Sequence, residues 1–163
     1  VGVSHEDLRK GLANFLGVRR RFQTAFKSEE YILIDDYAHH PREIDAVIQT
    51  VRDLYPNKKL TVIFQPHLFS RTKDLAIEFG HSLSAADNVL LLPIYPAREL
   101  PIEGVTSELI LDAISHDNKK IIDKDLILDS LINSSEKGII MTVGAGDIDT
   151  KTSIIANWLK SLS

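Results

Sequence analysis

Ile34-Asp35-Asp36-Tyr37-Ala38-His39-His40-Pro41 (residues 34–41) stands between an apolar run and a helical pattern. The run before it, Tyr31–Ile34, is short and continuous, which is typical of strands buried on both faces of a parallel sheet. The segment after it, Pro41–Tyr55, opens with a proline that suits the first helical turn, and its apolar residues recur at helical spacing. Strand, polar turn and helix in this order predict an α/β fold.

The alternation of strand and helix continues along the whole chain. It predicts a doubly wound, mostly parallel, Rossmann-like sheet of about six strands with helices on both faces. One of these strands, Gln23–Lys27, is expected to pair with its neighbour through the turn at Ser28–Glu30. The other predicted strands are Tyr31–Ile34, Leu60–Phe64, Val89–Leu92, Lys120–Ile122 and Ile139–Val143, and the predicted helices are Pro41–Tyr55, Thr72–Ala86, Thr106–Ser115, Asp123–Ile132 and Asp149–Leu162.

Length and composition set the broad class of protein. The 163 residues fit one domain, and 44% hydrophobic with 26% charged residues is ordinary for a globular protein. A net charge of -4 without an extended basic run argues against non-specific nucleic-acid binding. There is no cysteine for disulfide or thiol chemistry, no signal peptide, and no apolar stretch near the roughly 20 residues of a membrane helix. We therefore expect a cytoplasmic protein.

The first 20 residues differ from the rest, because a helix precedes the first strand. Ser4 is a suitable helix cap, and a basic connector, residues 17–21, follows the helix. We expect residues 1–20 to be the end of a preceding domain or a linker, and residues 21–163 to be the domain itself, within a longer protein. The apolar stripe of this helix comprises Leu8, Leu12, Phe15 and Leu16.

Polar residues follow four of the five predicted parallel strands, at the point where each strand ends. These segments are residues 35–40, 65–71, 95–99 and 144–147. Ligands of open parallel sheets gather beyond the carboxyl ends of the strands. The sequence therefore predicts one ligand site at this edge of the sheet.

The segment from Asp35 to His40 has three interpretations. A metal site is one, although adjacent histidines do not easily face the same ion and no third ligand has a suitable spacing. Nucleotide or substrate binding is the second, with Asp36 accepting from a ribose hydroxyl and Tyr37 stacking on a base. The third is a solvated turn in which an aspartate caps the helix that Pro41 begins.

Arg71 and the glycines after the last strand allow further inferences. Arg71 lies at a helix start, where the helix dipole disfavours a cation, so either an anionic ligand or an internal salt bridge, for example to Asp36, would explain it. His67 would bind the same ligand or the loop backbone.

Gly144-x-Gly146 lacks the third glycine of a dinucleotide fingerprint and is better interpreted as a tight turn. No Gly-Lys dipeptide occurs, which excludes a Walker-type P-loop.

Together these segments resemble the C-terminal domain of the Mur ligases, and within that family its alanine-adding members. The resemblance covers essentially the whole chain in order, and the FQPHLFSRT and IYPARE motifs favour the alanine-adding type over the ligase that recycles murein tripeptide. The matching segments are GVRRRF (17–22), IDDYAHHPREI (34–44), VIFQPHLFSRTKDL (62–75), LLPIYPARELPIEGVTSELI (91–110) and TVGAGDI (142–148).

The resemblance implies a three-domain ATP-dependent ligase of peptidoglycan synthesis. Such an enzyme joins L-alanine to UDP-N-acetylmuramate through an acyl phosphate. An N-terminal domain binds the UDP sugar, a central P-loop domain binds ATP with Mg²⁺, and the C-terminal domain brings in the amino acid. By this resemblance, residues 1–20 are the end of the central domain, and the 163-residue chain alone is expected to hold no cofactor or metal and to have no ligase activity.

The resemblance also implies roles for individual residues. Arg21 would reach nucleotide phosphate, and Asp36 and Tyr37 would contact the ribose and adenine. The alanine side would comprise His40, with His39 less certain, His67 and Arg71, which clamps the alanine carboxylate. Some family members carry a second arginine where this chain has Leu68, which leaves Arg71 with more of that task.

Other classes remain open from the sequence. One is the recycling ligase that adds a whole peptide. Another is a non-catalytic, flavodoxin-like module that binds a nucleotide or an anion. A third is a metal-dependent hydrolase that uses His39, His40 and the aspartates.

Overall fold

The computed structural model describes residues 2–15 and 17–162. None of the helices in these two segments is long and apolar enough to cross a membrane. A turn of 3-10 helix, Lys124–Leu126, precedes the fifth α-helix. The strands are β1 Gln23–Lys27, β2 Tyr31–Asp36, β3 Leu60–Phe64, β4 Asn88–Leu91, β5 Lys119–Ile121 and β6 Gly138–Val143, and the helices are α1 His5–Ala13, α2 Pro41–Leu54, α3 Phe69–Leu83, α4 Glu108–Ala113, α5 Ile127–Ser134 and α6 Asp149–Ser161.

The strands form one sheet in the order β1-β2-β6-β3-β4-β5. Five strands run parallel, and β1 pairs antiparallel with β2 at the edge. Parallel neighbours need crossover connections, and the helices supply them. The mostly parallel sheet and the additional strand at Gln23–Lys27 are both confirmed.

Helices cover both faces of the sheet, as predicted. On one face α2, α3 and α4 pack on the strands, and Phe64 of β3 meets Phe79 of α3 with ring centroids 5.3 Å apart. On the other face α5 and α6 bury Leu131 and Leu159 against Ile63 and Ile140. Because each central strand is covered on both faces, its residues are apolar without alternation.

Polar contacts explain where the observed boundaries differ most from the predicted ones. Strand β2 extends past Ile34 through Asp35 and Asp36, which pair with Thr142 and Val143 of β6 and are buried. Helix α3 begins at Phe69 rather than at Thr72. The segment predicted as one helix from Asp123 divides into the 3-10 turn and α5, and the other boundaries shift by a few residues.

Helix α1 is formed but buries none of its residues. The Ser4 side chain accepts a hydrogen bond from the Asp7 amide, as expected of a cap. On the apolar stripe Leu12 is 73% exposed and Phe15 64%, whereas Leu16 lies outside the described residues. The assignment of residues 1–20 to a neighbouring domain or linker stays a prediction.

Candidate ligand site at the carboxyl edge of the sheet

The polar segments that follow β2, β3, β4 and β6 lie next to one another. These strands are neighbours in the order β2-β6-β3-β4, and all four run in the same direction. A parallel bridge between His67 and Tyr95 continues the pairing of β3 and β4 beyond the strand ends. The predicted gathering of these segments at one edge is therefore found.

Asp36 joins the basic connector to the end of β2. Its side chain is buried, with 8% exposed, and both carboxylate oxygens accept backbone hydrogen bonds. Oδ2 accepts from the Phe22 amide at 2.7 Å, and Oδ1 accepts from the Ala38 amide at 2.8 Å. A ribose hydroxyl would have to share these oxygens, so the predicted ribose contact stays a prediction beside an observed structural role.

Tyr37 contacts both the basic connector and His39. Its ring is 5.3 Å from the His39 ring in an edge-on arrangement. The guanidinium groups of Arg20 and Arg21 lie 5.0 and 5.5 Å from the ring centroid, within cation–π range. The structure thus places Arg21 beside Tyr37, and the predicted contacts of both residues with a nucleotide stay a prediction.

The two histidines at the start of α2 take different positions. His40 is the exposed N-cap residue, and its Nδ1 accepts a hydrogen bond from the Arg42 amide at 3.4 Å. The Glu43 carboxylate accepts hydrogen bonds from the amides of His39 and His40. The interpretation in which an aspartate caps this helix is therefore wrong, because Asp35 and Asp36 bond elsewhere. His39 turns inward, with its ring 6.3 Å from that of His67.

Arg71 lies in the first turn of α3 and is half-buried. Its Nη1 donates to the His39 carbonyl at 3.3 Å. The structure records no ion pair for Arg71 within residues 2–15 and 17–162, so the internal salt bridge to Asp36 is not found there. A guanidinium at a helix N-terminus with one long hydrogen bond retains donors for an anionic ligand.

His67 stacks on Tyr95, with ring centroids 5.7 Å apart, and its Nδ1 is buried without a hydrogen-bond partner in the described chain. Burial, and then the nearby Arg71 and His39, lower the pKa of the imidazole, while Glu99 opposes them. A neutral His67 offers one donor and one acceptor beside the Arg71 guanidinium. His39, His67 and Arg71, hereafter the histidine–arginine cluster, lie next to one another at this edge, and their role in binding a carboxylate stays a prediction.

The loop after β4 holds the start of α3 in place. Glu99 accepts from the Ser70 amide at 2.9 Å and from the Ser70 hydroxyl at 2.5 Å. These Ser70 hydrogen bonds lower the pKa of the Glu99 carboxyl. The pairing explains why α3 starts at Phe69. Leu68, the residue before it, has a φ of 75°, which is uncommon for leucine. Backbone strain of this kind is often found at functional sites.

The Gly144–Asp147 turn links the ends of β3 and β6. Gln65 is buried, donates to Asp147 at 2.8 Å and accepts from the Ile148 amide at 3.0 Å. A Cβ at Gly146 would lie 2.4 Å from Gln65 Oε1 and 2.9 Å from Tyr95 Cβ, so these two neighbours leave no room for a side chain there. Burial alone would raise the pKa of Asp147, but hydrogen bonds from Lys124 and Gln65 outweigh it and lower the pKa. The interpretation as a tight turn is supported.

Arg20 and Glu99 are site residues that the sequence analysis did not single out. Arg20 reaches the carbonyls of the Gly144–Asp147 turn, although Arg21 is the arginine expected at the ligand. The sequence offers three consecutive arginines with the same chemistry, so no local signal separates Arg20 from its neighbours. Glu99 lies in the polar segment 95–99, but its partner Ser70 is distant in sequence.

Asp35 is a buried carboxyl beneath this edge. Its Oδ1 accepts from the Thr142 hydroxyl at 2.7 Å, and its Oδ2 lies 3.5 Å from the Arg20 Nε. Burial raises its pKa, although the Thr142 hydrogen bond and the Arg20 charge oppose the shift. In the described chain no three His, Asp or Glu side chains are grouped so that they could hold a metal ion. The metal-site interpretation of residues 35–40 therefore has no ligand set in this part of the structure.

Comparison with known proteins agrees with this architecture. The family model for the Mur ligase, glutamate ligase domain, matches residues 20–146. A UDP-N-acetylmuramate–L-alanine ligase of Flavobacterium psychrophilum is 53% identical over 147 residues, which are 90% of this chain and 33% of that protein. One from Porphyromonas gingivalis is 49% identical over 161 residues, 99% of this chain and 35% of that protein. The chain thus spans about a third of the length of these relatives.

Solved structures show the same fold. The UDP-N-acetylmuramate-alanine ligase of Thermotoga maritima superposes with a TM-score of 0.76 at 30% identity, covering 99% of this chain and 35% of that one. A murein peptide ligase of Psychrobacter arcticus gives a TM-score of 0.66 at 21% identity, covering 99% and 33%, which shows the fold alone. The fold and the family match over residues 20–146 agree, and the chain belongs to the Mur ligase family.

Proposed function

We propose that this chain is the C-terminal, amino-acid-binding domain of an ATP-dependent ligase that joins L-alanine to UDP-N-acetylmuramate in peptidoglycan synthesis. The relatives that are about half identical to it carry that name. The observation that carries the proposal is the histidine–arginine cluster, where the Arg71 guanidinium has no carboxylate partner among the described residues. We place the reaction in the cytoplasm, with ATP, L-alanine and the UDP sugar as small-molecule partners.

The histidine–arginine cluster is the proposed alanine side. Arg71 binds the alanine carboxylate, since its planar fork fits two oxygens, and His67 adds a hydrogen bond from a partly buried ring. His39 belongs to this side because its ring lies 6.3 Å from the His67 ring. His40 caps α2, so its role in substrate binding has less support. Leu68 offers no second guanidinium, so Arg71 is the main anchor.

The connector side is proposed to hold the nucleotide. Arg21 is exposed and next to Tyr37, so its guanidinium can reach a phosphate while the tyrosine ring stacks on the base. Asp36 shapes this side by fixing the Phe22 and Ala38 amides and shares its oxygens with the ribose. The two sides are adjacent, because Tyr37 contacts His39.

The remaining chemistry belongs to parts of the enzyme outside this chain. The sequence contains no P-loop, so ATP and its Mg²⁺ would be bound mainly by a central domain. ATP phosphorylates the muramoyl carboxylate and leaves as ADP. The alanine amine then attacks the acyl carbon, and phosphate leaves as the amide forms. The proposed contribution of this domain is to position the amine and the nucleotide when the domains close.

Residues 1–20 are proposed to be the end of that central domain and the linker to this one. Helix α1 forms with a proper cap, yet it buries no residue against residues 21–162. An apolar stripe without a partner in the described chain is what a helix of a neighbouring domain would leave.

The test of the proposed function is the choice of amine by the full-length protein. With ATP, Mg²⁺ and UDP-N-acetylmuramate present, L-alanine is expected to drive ADP release, and the murein tripeptide L-alanyl-γ-D-glutamyl-meso-diaminopimelate is not. Preference for the tripeptide would assign the recycling reaction instead. No turnover with either would leave a non-catalytic binding module.

A further inference from the structure

Two consecutive arginines of the connector differ in exposure. Arg21 is exposed, whereas the Arg20 side chain is only 18% exposed and lies over the ends of β2 and β6. The Arg20 Nη2 donates to the Gly144 carbonyl at 2.5 Å, and its Nη1 donates to the Gly146 carbonyl at 3.4 Å. One guanidinium thus holds both carbonyls of the glycine turn, for which a planar fork is suited and an ammonium is not.

Two carboxylates complete the surroundings of Arg20. Its Nε lies 3.5 Å from Asp35 Oδ2, and its Nη1 lies 3.5 Å from Asp149 Oδ2. Asp35 belongs to the end of β2, and Asp149 begins α6, so a single side chain connects the connector with three elements of the domain. The Nε is buried and makes no hydrogen bond in the described chain, so the ion pair with Asp35 is its main interaction.

The backbone of Arg20 is hydrogen-bonded through both its amide and its carbonyl. Its amide donates to Gln23 Oε1 at 3.0 Å, and its carbonyl accepts from the Tyr37 amide at 2.8 Å. Its φ of 57° is in the left-handed region, which a non-glycine residue adopts only when its surroundings hold it there. The guanidinium also lies 5.0 Å from the Tyr37 ring. Arg20 therefore sets both the backbone and the ring environment of Tyr37.

We propose that Arg20 is a positioning residue for nucleotide binding, which fixes the connector to the strand ends and so orients Tyr37 and directs Arg21 outward to the ligand. This inference rests on the proposed function, because it assigns the nucleotide to Arg21 and Tyr37. Arg20 itself is turned toward the domain and is not proposed to touch the ligand.

Steady-state kinetics of the full-length enzyme test this role. Arg20→Ala is expected to raise the KM for ATP roughly tenfold, as for the loss of a charged hydrogen-bonding group, and to leave the KM for L-alanine within about twofold. Arg20→Lys is expected to restore part of the ATP affinity, because it keeps the charge between Asp35 and Asp149. Arg19→Ala removes an exposed neighbouring arginine and is the matched control, with no change expected. Equal rises in both KM values, or an unchanged KM for ATP, would overturn the proposal.

Limited trypsin digestion of the 163-residue chain tests the contacts without relying on any enzymatic activity. Cleavage after Arg19 or Arg21 is expected to be slow in the wild type and several-fold faster in Arg20→Ala, because the connector is released from the strand ends. Asp149→Asn is expected to give an intermediate rate without altering the connector. Equal rates in all three chains would refute the attachment. Cleavage could be faster in Arg20→Ala while the full-length protein shows no alanine-dependent turnover. That result would reject the proposed function but leave the attachment of Arg20 to the strand ends in place.

Discussion

Arg71 has the clearest functional signature of any single residue in this domain. Its guanidinium lies at a helix start, and its recorded hydrogen bond is a long one to the His39 carbonyl. A cation at this end of a helix opposes the dipole, which a bound carboxylate would offset.

Replacing Arg71 should change the KM for L-alanine but not the KM for ATP in the full-length enzyme. Arg71→Ala removes a charge-assisted contact with the amino acid, which is worth about 1.5–3 kcal/mol, so the KM for L-alanine is expected to rise roughly 10- to 100-fold. The KM for ATP should stay within about twofold. Arg42→Ala is the control, because Arg42 is an exposed arginine at the start of α2. An unchanged KM for L-alanine would remove Arg71 from its proposed role.

His67 should titrate below the usual range for histidine. Burial and the neighbouring Arg71 and His39 lower its folded-state pKa, whereas the unfolded value is about 6.5. The unfolded state therefore binds the proton more readily, and this group makes the fold less stable as pH falls through the unfolded pKa, until pH drops below the folded pKa. NMR titration of the His67 ring should show the low midpoint, and Arg71→Ala should raise it. A midpoint at or above the usual value would contradict the geometry of the cluster.

The sequence predicted which residues gather at the site but not how each side chain is used. Asp36, Tyr37, His39, His67 and Arg71 all lie at the expected edge. The sequence could not predict which of the two histidines caps α2 and which turns toward His67, because that choice depends on backbone angles and on Glu43. Arg20 was missed because its partners, Gly144 and Gly146, are distant in sequence.

At the scale of helices and strands, Gly80 sets the approach of α3 to α4. A Cβ at Gly80 would lie 2.4 Å from the Ala113 Cβ and 2.6 Å from the Ala113 carbonyl carbon, so the two helices are in contact through a position without a side chain. In α1, among the residues that the structure describes, no atom lies within 4 Å of a Cβ placed on Gly11. The two positions form a matched pair.

The same substitution should therefore have different effects in the two helices. Alanine gains up to about 1 kcal/mol of helix propensity over glycine, but overpacking costs about 1–3 kcal/mol. Gly80→Ala is expected to lower the free energy of unfolding by about 1–2 kcal/mol and the Tm by a few degrees. Gly11→Ala should leave the Tm unchanged, because α1 buries nothing. Thermal unfolding followed by circular dichroism measures both, and equal Tm values would show that α3 and α4 are not closely packed.

Periodicity predicted the order and type of the elements well, because strands covered on both faces must be apolar throughout. The boundaries that it missed depend on polar contacts. Strand β2 was expected to end before Asp35, since carboxylates are rare in buried strands, yet Thr142 bonds Asp35 and backbone amides bond Asp36. The early start of α3 depends on Glu99, which no local pattern connects with Ser70.

At the scale of the whole molecule, the candidate site occupies one edge of the sheet. It combines a proposed nucleotide side and a proposed amino-acid side, joined through Tyr37 and His39. The chain carries no P-loop and spans about a third of the length of its relatives. We propose that the edge is half of an active site and that a second domain completes it.

The most direct test of this account is L-alanine-dependent ADP release, measured side by side on the 163-residue chain and on the full-length protein. Both are assayed with ATP, Mg²⁺ and UDP-N-acetylmuramate. We expect L-alanine-dependent turnover by the full-length protein and none by the 163-residue chain. Turnover by the chain alone would contradict it, as would a full-length protein whose ATP consumption does not depend on L-alanine.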